Sequence, residues 1–400
     1  MKKLWISFLC GLLFLLLAPT AKANFDNILK KARGQTVYFN AWGGSELYNN
    51  YINWAAKQMR QIYGVRVKHV RLTDTAIAVN QVLTDKKAGN KKNGAIDVLW
   101  INGNNFKTMK DNRLLYGPFI KKLPNYKLLS VRQNPALLKD FTIAVDGLEM
   151  PWGRAYFVFV YDSKKTPNPP KTADELLSFA KNHHGKLSYP TPPDFTGVAF
   201  LKHLLLDLAH KNGKQRYFKK SFKNEAVARK RTKFLWDYLD QLHPHLWQAG
   251  KNFPKNESDL LKLFARGKLS LSFSYNAGVA SAAIKQKIVP PSVKTYIWHS
   301  GVLSNQHYLA IPFNSQNKEA AMVFINFLSS PIAQGRKTNT AFWGEPTVLD
   351  VGRLKSADKN IFMKNAGVSA IKPIKAKTLP EPHPDWTSFL EQEWKKRYFK

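Results

Sequence analysis

From residue 35 onward the hydrophobic period switches repeatedly between two and 3.6 residues, and that alternation restricts the chain to an α/β architecture. Val37 to Ala41 reads as a strand. After Gly43-Gly44 a helix carries Leu47, Tyr51, Trp54, Ala55 and Ile62 on one face, with Ser45 placed to cap it and Gly64 to stop it. A second strand at Val65 to Val70 precedes a helix capped by Thr73-Asp74 and bearing Ile77, Val82 and Leu83, and Ile96 to Ile101 forms the third strand. Parallel strands need a long crossover, so this βαβαβ unit implies a parallel sheet covered by helices, with a ligand crevice where strands end and helices begin.

A second alternation starts where Glu149 to Gly153 leads into the β-rich run Tyr156 to Tyr161. Thr172 and Glu175 form a capping box, Ser188-Tyr189 ends a short strand, and Pro192 to Gly197 opens a helix that stops near Gly213. An aromatic helix at Phe234 to Leu242, a helix at Ser258 to Arg266 and strands at Leu269 to Tyr275 and Thr295 to His299 follow. Helices at Lys318 to Leu328 and after Ser330-Pro331 complete the pattern, with proline at a first helical turn. Two α/β lobes account for the whole.

The N-terminus sets the compartment. Met1-Lys2-Lys3, the apolar run Leu4 to Ala18 and the small residues of Ala21-Lys22-Ala23 read as a secretory signal, residues 1–23, cleaved near Ala23. The only cysteine, Cys10, falls inside that run in a poor lipobox, so the mature chain is expected to be neither lipid-anchored nor disulfide-bonded. A periplasmic protein follows. Lys and Arg outnumber Asp and Glu by 62 to 27, a formal +35, but export removes nucleic acid as a normal partner and leaves the excess as a solvated surface.

Hydrolase elbows, zinc helices, phosphate loops and dinucleotide fingerprints are missing from the sequence. No cofactor and no metal site is expected. The pairs His183-His184 and His243-Pro244-His245 lack the same-face helical spacing of a metal motif and read as surface or packing residues. What the chain does supply is aromatic and small polar residues where strands turn into helices: Trp42, Gly43, Gly44 and Ser45; Asp74; Trp100, Asn102 and Asn104; Trp152; Asp194 and Phe195; Tyr275 and Asn276; and Trp343 in a late loop. Glycine lets backbone approach a ligand, helix N-termini favour anions, and aromatic faces stack on rings or cations. Asp74 and Asp194 read equally well as simple helix caps. The set suits reversible capture better than bond cleavage.

Several segments carry a resemblance: Ala41 to Ser45, Asp97 to Phe106, Pro151-Trp152-Gly153, Tyr189 to Gly197 and Leu242 to Trp247. From about residue 35 to its end the chain resembles the YnjB group of ABC-transporter solute-binding proteins. That likeness implies the type 2 periplasmic binding-protein fold: two α/β lobes joined by two crossing hinge strands, a small solute held in the cleft between them, and delivery to a transmembrane ABC permease. On that logic 24–153 and 301–400 form lobe one, 154–300 form lobe two, and Glu149 to Gly153 and Trp298 to Val302 are the crossings. Two other readings stay open at this level. One is an exported enzyme using Asp74 and Asp194 as paired carboxylates; the other is a basic binder of envelope polymers.

Overall fold

A computed structural model describes residues 21–366 and 377–399, so the apolar run of the expected signal, with Cys10, lies outside the described residues. The described strands are β1 (Thr36–Trp42), β2 (Arg66–Leu72), β3 (Val98–Ile101), β4 (Lys139–Asp140), β5 (Ile143–Ala144), β6 (Glu149–Tyr156), β7 (Val158–Asp162), β8 (Leu271–Ser274), β9 (Val293–Tyr296), β10 (Val302–Ala310) and β11 (Thr378–Pro380).

The first sheet runs β2-β1-β3-β10, with β6 on the far side of β10. β1 is parallel to both β2 and β3, as the βαβαβ pattern requires, whereas β10 returns antiparallel to β3 and β6. The first residues of β10 pair in parallel with β11. A smaller antiparallel sheet, β8-β7-β9, forms the second lobe, and β4-β5 is a hairpin beside the first.

Among the described residues, two strand-to-strand connections cross between the sheets. β6 passes into β7 through the buried Phe157, whose N–H donates to the Leu303 carbonyl at 2.9 Å, and β9 reaches β10 through Trp298 to Gly301. Glu149 to Gly153 therefore lies within the first sheet, and the passage falls a few residues later than expected. Because the crossings run side by side, a small change of twist at both reorients one lobe against the other.

Each lobe has its own core. Phe39, Tyr51, Trp152, Phe324 and Trp343 belong to the first; Phe157, Leu201, Trp236, Phe273 and Trp298 belong to the second. The helix Lys318–Leu328 is buried at every position from Ala320 onward, which matches its nearly continuous apolar sequence.

Three local expectations change. Ser188-Tyr189 is buried but not a strand, because Pro190, Pro192 and Pro193 follow it and lack the N–H groups a ladder needs. The aromatic helix starts earlier, at Glu225, capped by Asn224, which accepts from the Val227 N–H at 3.0 Å. The C-terminal helix Pro384–Tyr398 packs Trp386, Phe389, Leu390 and Trp394 into the second core, so the segment 301–400 is shared between lobes. This helix was not among the sequence expectations.

Candidate functional site

On the first lobe the site is built at the ends of β1, β2 and β3. Trp42 closes β1, and the chain turns beneath it through Gly43 and Gly44. A Cβ on Gly44 would lie 2.4 Å from the Trp42 indole, and one on Gly43 2.5 Å from Arg71 Cβ, so both positions need glycine for close approach. Ser45 then occupies the N-cap of the helix Glu46–Tyr63 without a side-chain capping bond. Asp74, after β2, accepts from the Ala76 N–H at 2.8 Å and caps Thr75–Lys87. Beyond Trp100 at the end of β3, Asn102 begins the helix Gly103–Asp111 with an uncommitted side chain, and Asn104 sits half-buried in its first turn.

These ends carry a connected aromatic wall. Tyr48 stacks on Trp343 with centroids 4.3 Å apart, and it lies 5.6 Å from Trp42 and 6.0 Å from Trp100. Trp152 meets Trp100 at 5.0 Å and Trp343 at 5.3 Å, both edge-on. Trp152 and Trp343 are 0% and 2% exposed, so they back this wall as core residues, while Trp42 and Trp100 stay half-buried at its face. Behind it, Lys337 is fully buried 3.7 Å from Glu345, which is itself 3.2 Å from His307. Burial pushes the Lys337 ammonium down to about 8 and the Glu345 carboxyl up to about 7, against the opposing pull of their mutual attraction.

The second lobe presents Phe195 and Tyr275, rings 4.9 Å apart, and Asn276. Phe195 is 42% exposed, a large apolar ring left at the lobe junction. Asp194 accepts from the N–H groups of Thr196 and Gly197 at 2.9 and 3.1 Å, capping Phe195–Lys211. Glu257 accepts from Thr196 Oγ1 at 2.8 Å and Ser274 Oγ at 2.6 Å. The lobes touch directly: Asn276 Nδ2 donates to the Trp343 carbonyl at 3.2 Å.

Carboxyl groups converge on this junction from four segments. Burial, followed by the charges of Glu257 and Asp74, raises Asp194 to about 7 despite its two backbone donors. Glu391, on the C-terminal helix, is also raised to about 7, by burial and then by Asp74, with Lys202 opposing. Burial raises Glu257 as well. Tyr48 is pushed up by burial and by the charges of Glu257 and Glu345, so the acids and the aromatic wall share one region.

Beside it, Lys202 and Glu381 form an ion pair of 2.6 Å with both side chains 1% exposed. Tyr275 Oη also donates to Glu381, as does Asn305 Nδ2 at 3.4 Å. The Lys202 ammonium lies 4.8 Å from the Phe141 ring of the first lobe and 5.5 Å from Phe195. An open groove of about 720 Å³, bordered by Tyr161, Lys171, Phe179 and Tyr296, shares none of the expected site residues.

The structure thus gathers Trp42, Trp100, Asp74, Asp194, Phe195, Tyr275, Asn276 and Trp343 around the lobe junction, and keeps Trp152 behind the wall. Sequence reasoning missed Tyr48, Glu257, Glu391 and the Lys202–Glu381 pair. Tyr48 had a signal, since it sits in the first turn of a helix that opens at the end of β1, whereas the helix that Glu257 begins follows a loop. Glu391 had none, since only the docking of the last helix brings it here. Among the described residues, no group of three His, Cys, Asp or Glu is placed to hold a metal ion.

The arrangement, two α/β lobes with crossing strands and a junction lined by aromatic and acidic groups, is that of a type 2 periplasmic binding protein. The chain belongs to the bacterial extracellular solute-binding protein family, whose pattern matches residues 54–357. It is 39% identical over 391 residues to protein YnjB of Escherichia coli (strain K12), covering 98% of each chain. The fold is similar to that of the periplasmic binding protein AfuA from Actinobacillus pleuropneumoniae, solved with fructose-6-phosphate, with a TM-score of 0.63, 14% identity, and coverage of 91% of this chain and 99% of that one. The spermidine/putrescine substrate-binding protein PotD from Streptococcus pneumoniae matches with a TM-score of 0.59 and 14% identity, covering 92% of this chain and 100% of its own. The family and these neighbours are binding proteins, and a solute-binding role follows for this chain. No described helix is long and apolar enough to cross a membrane.

Proposed function

We propose that the protein is the periplasmic capture subunit of an ABC importer, released after cleavage near Ala23, and that its solute is an organic cation with a flat, unsaturated portion. One observation carries the choice of charge. Asp74, Asp194, Glu257 and Glu391 come from four separate segments, yet Asp74 acts on Asp194 and Glu391, and Glu257 on Asp194. Carboxyls held together cost charge repulsion, which Lys202 offsets at Glu391, and a bound cation relieves the rest. The half-buried faces of Trp42, Trp100 and Tyr48 add a surface on which such a cation can stack, worth about 0.5–2 kcal/mol per ring.

Capture needs no covalent step. A solute touching both lobes stabilises the closed arrangement that the Asn276–Trp343 bond already spans, and a permease that recognises this arrangement receives only loaded protein. The catalytic reading has less support: Asp74 and Asp194 both spend an oxygen on their own helix N-termini.

A thermal-shift and calorimetric screen tests this, pairing amines, quaternary ammonium compounds and cationic heterocycles with anions of similar size, followed by small-angle scattering. Stabilisation and compaction by a cation are expected. Stabilisation by anions alone, or turnover of the ligand, overturns the reading.

A further inference from the structure

Two histidines 61 residues apart meet on the surface of the second lobe. The helix Ala173–Asn182 ends at His183, whose Nδ1 lies 3.0 Å from the Phe179 carbonyl, and the chain turns outward through the exposed His184. Further along, the helix Glu225–Leu242 ends in a tight turn, His243–His245. His243 points inward to Tyr189, its Nε2 2.7 Å from the hydroxyl, which leaves His245 on the outside. Backbone bonds tie the two turns together: the Gly185 N–H donates to the His245 carbonyl at 2.9 Å and the Trp247 N–H to the Leu187 carbonyl at 2.8 Å.

This anchoring brings His184 Nδ1 to 3.3 Å from His245 Nδ1, with ring centroids 4.6 Å apart and planes inclined at 68°. The spacing is long for an N–H···N hydrogen bond. It lies at the upper end of the separation of about 2.9–3.3 Å between two imidazole nitrogens that share one ion at 2.0–2.1 Å in tetragonal or tetrahedral geometry. We propose that His184 and His245 form a two-imidazole site for a borderline divalent transition-metal ion, Cu(II) bound more tightly than Ni(II) or Zn(II). The order follows from the ligand type. With two protein ligands the ion keeps open positions for water, so the site is an exchangeable one on the outer face, sharing no residue with the solute junction.

The test uses the mature protein without a polyhistidine tag, titrated with Cu(II) and with Zn(II) by calorimetry, with electron paramagnetic resonance on the copper form. One equivalent of Cu(II) with two imidazole nitrogens is expected. His184→Ala and His245→Ala should each weaken binding at least tenfold, the double variant no further, while His210→Ala and His299→Ala, at other exposed histidines, leave it unchanged. Circular dichroism checks that each variant is folded. Absence of stoichiometric binding, or binding that survives both substitutions, overturns the proposal.

Discussion

The side-chain amide of Asn276 donates to the backbone carbonyl of Trp343 at 3.2 Å, linking the end of β8 in the second lobe to the loop that carries the aromatic wall of the first. Asn276 is itself held by the Gly278 N–H, which donates to its Oδ1 at 2.9 Å. A rigid amide reporting on a main-chain atom makes this contact sensitive to the approach of the lobes and indifferent to which side chain stands at 343. Asn276→Ala should shift the empty protein toward a more open form and weaken solute binding about five- to tenfold, the worth of one hydrogen bond. Scattering and calorimetry on the same variant check both effects. Unchanged dimensions with unchanged affinity would remove the contact from the closing mechanism.

Solute affinity and stability should respond to pH in opposite directions. Asp194 and Glu391 sit at about 7 in the folded chain, above ordinary carboxyl values near 4, so between those limits the folded state holds more protons than the unfolded. Their contribution to stability is full below about pH 4 and lost as pH rises through 7. A cation binds the ionised form, so its affinity climbs through the same region. Calorimetric titration from pH 5.5 to 8 measures this, and Asp194→Asn should flatten both curves.

Removing the ammonium of the buried Lys202–Glu381 pair leaves Glu381 an unpaired charge with 1% of its side chain exposed. Lys202→Met should lower stability by about 3–5 kcal/mol in denaturant titration. Adding Glu381→Gln should restore part of it, because the second change removes the orphaned charge.

Trp42 and Trp343 belong to one wall but differ in burial, and their alanine variants should separate. Trp343→Ala opens a core cavity and should cost about 3–5 kcal/mol of stability. Trp42→Ala, at a half-buried position, should cost far less stability while weakening the solute by roughly tenfold, in line with a lost stacking face. Thermal denaturation and calorimetry on both variants distinguish the roles; equal loss of stability in the two would contradict this division.

Much of the local structure in both lobes was readable from local pattern alone. The period of Val37 to Ala41, the apolar face through Tyr51 and Ala55, the stop at Gly64 and the caps at Asp74 and Asp194 all reappear, because each depends on neighbours within a few residues. Strand-to-helix junctions also pointed to Trp42, Asp74, Trp100 and Tyr275, but of the four carboxyls at the lobe junction only Asp74 lies at such a turn. Which of them face a solute was decided by packing: Trp152 has the same local setting as an exposed aromatic, but Phe39, Tyr51 and Trp343 enclose it.

Only long-range contacts decided the remainder. The C-terminal helix was not among the sequence expectations; its docking in the second core is a long-range contact, and Glu391 joined the junction as a consequence. His184 and His245 were each unremarkable in sequence, and two backbone bonds between distant turns made them neighbours. Periodicity and capping are short-range properties written in consecutive residues, whereas the company a side chain keeps depends on how whole elements stack, and that is set by the summed burial of both cores.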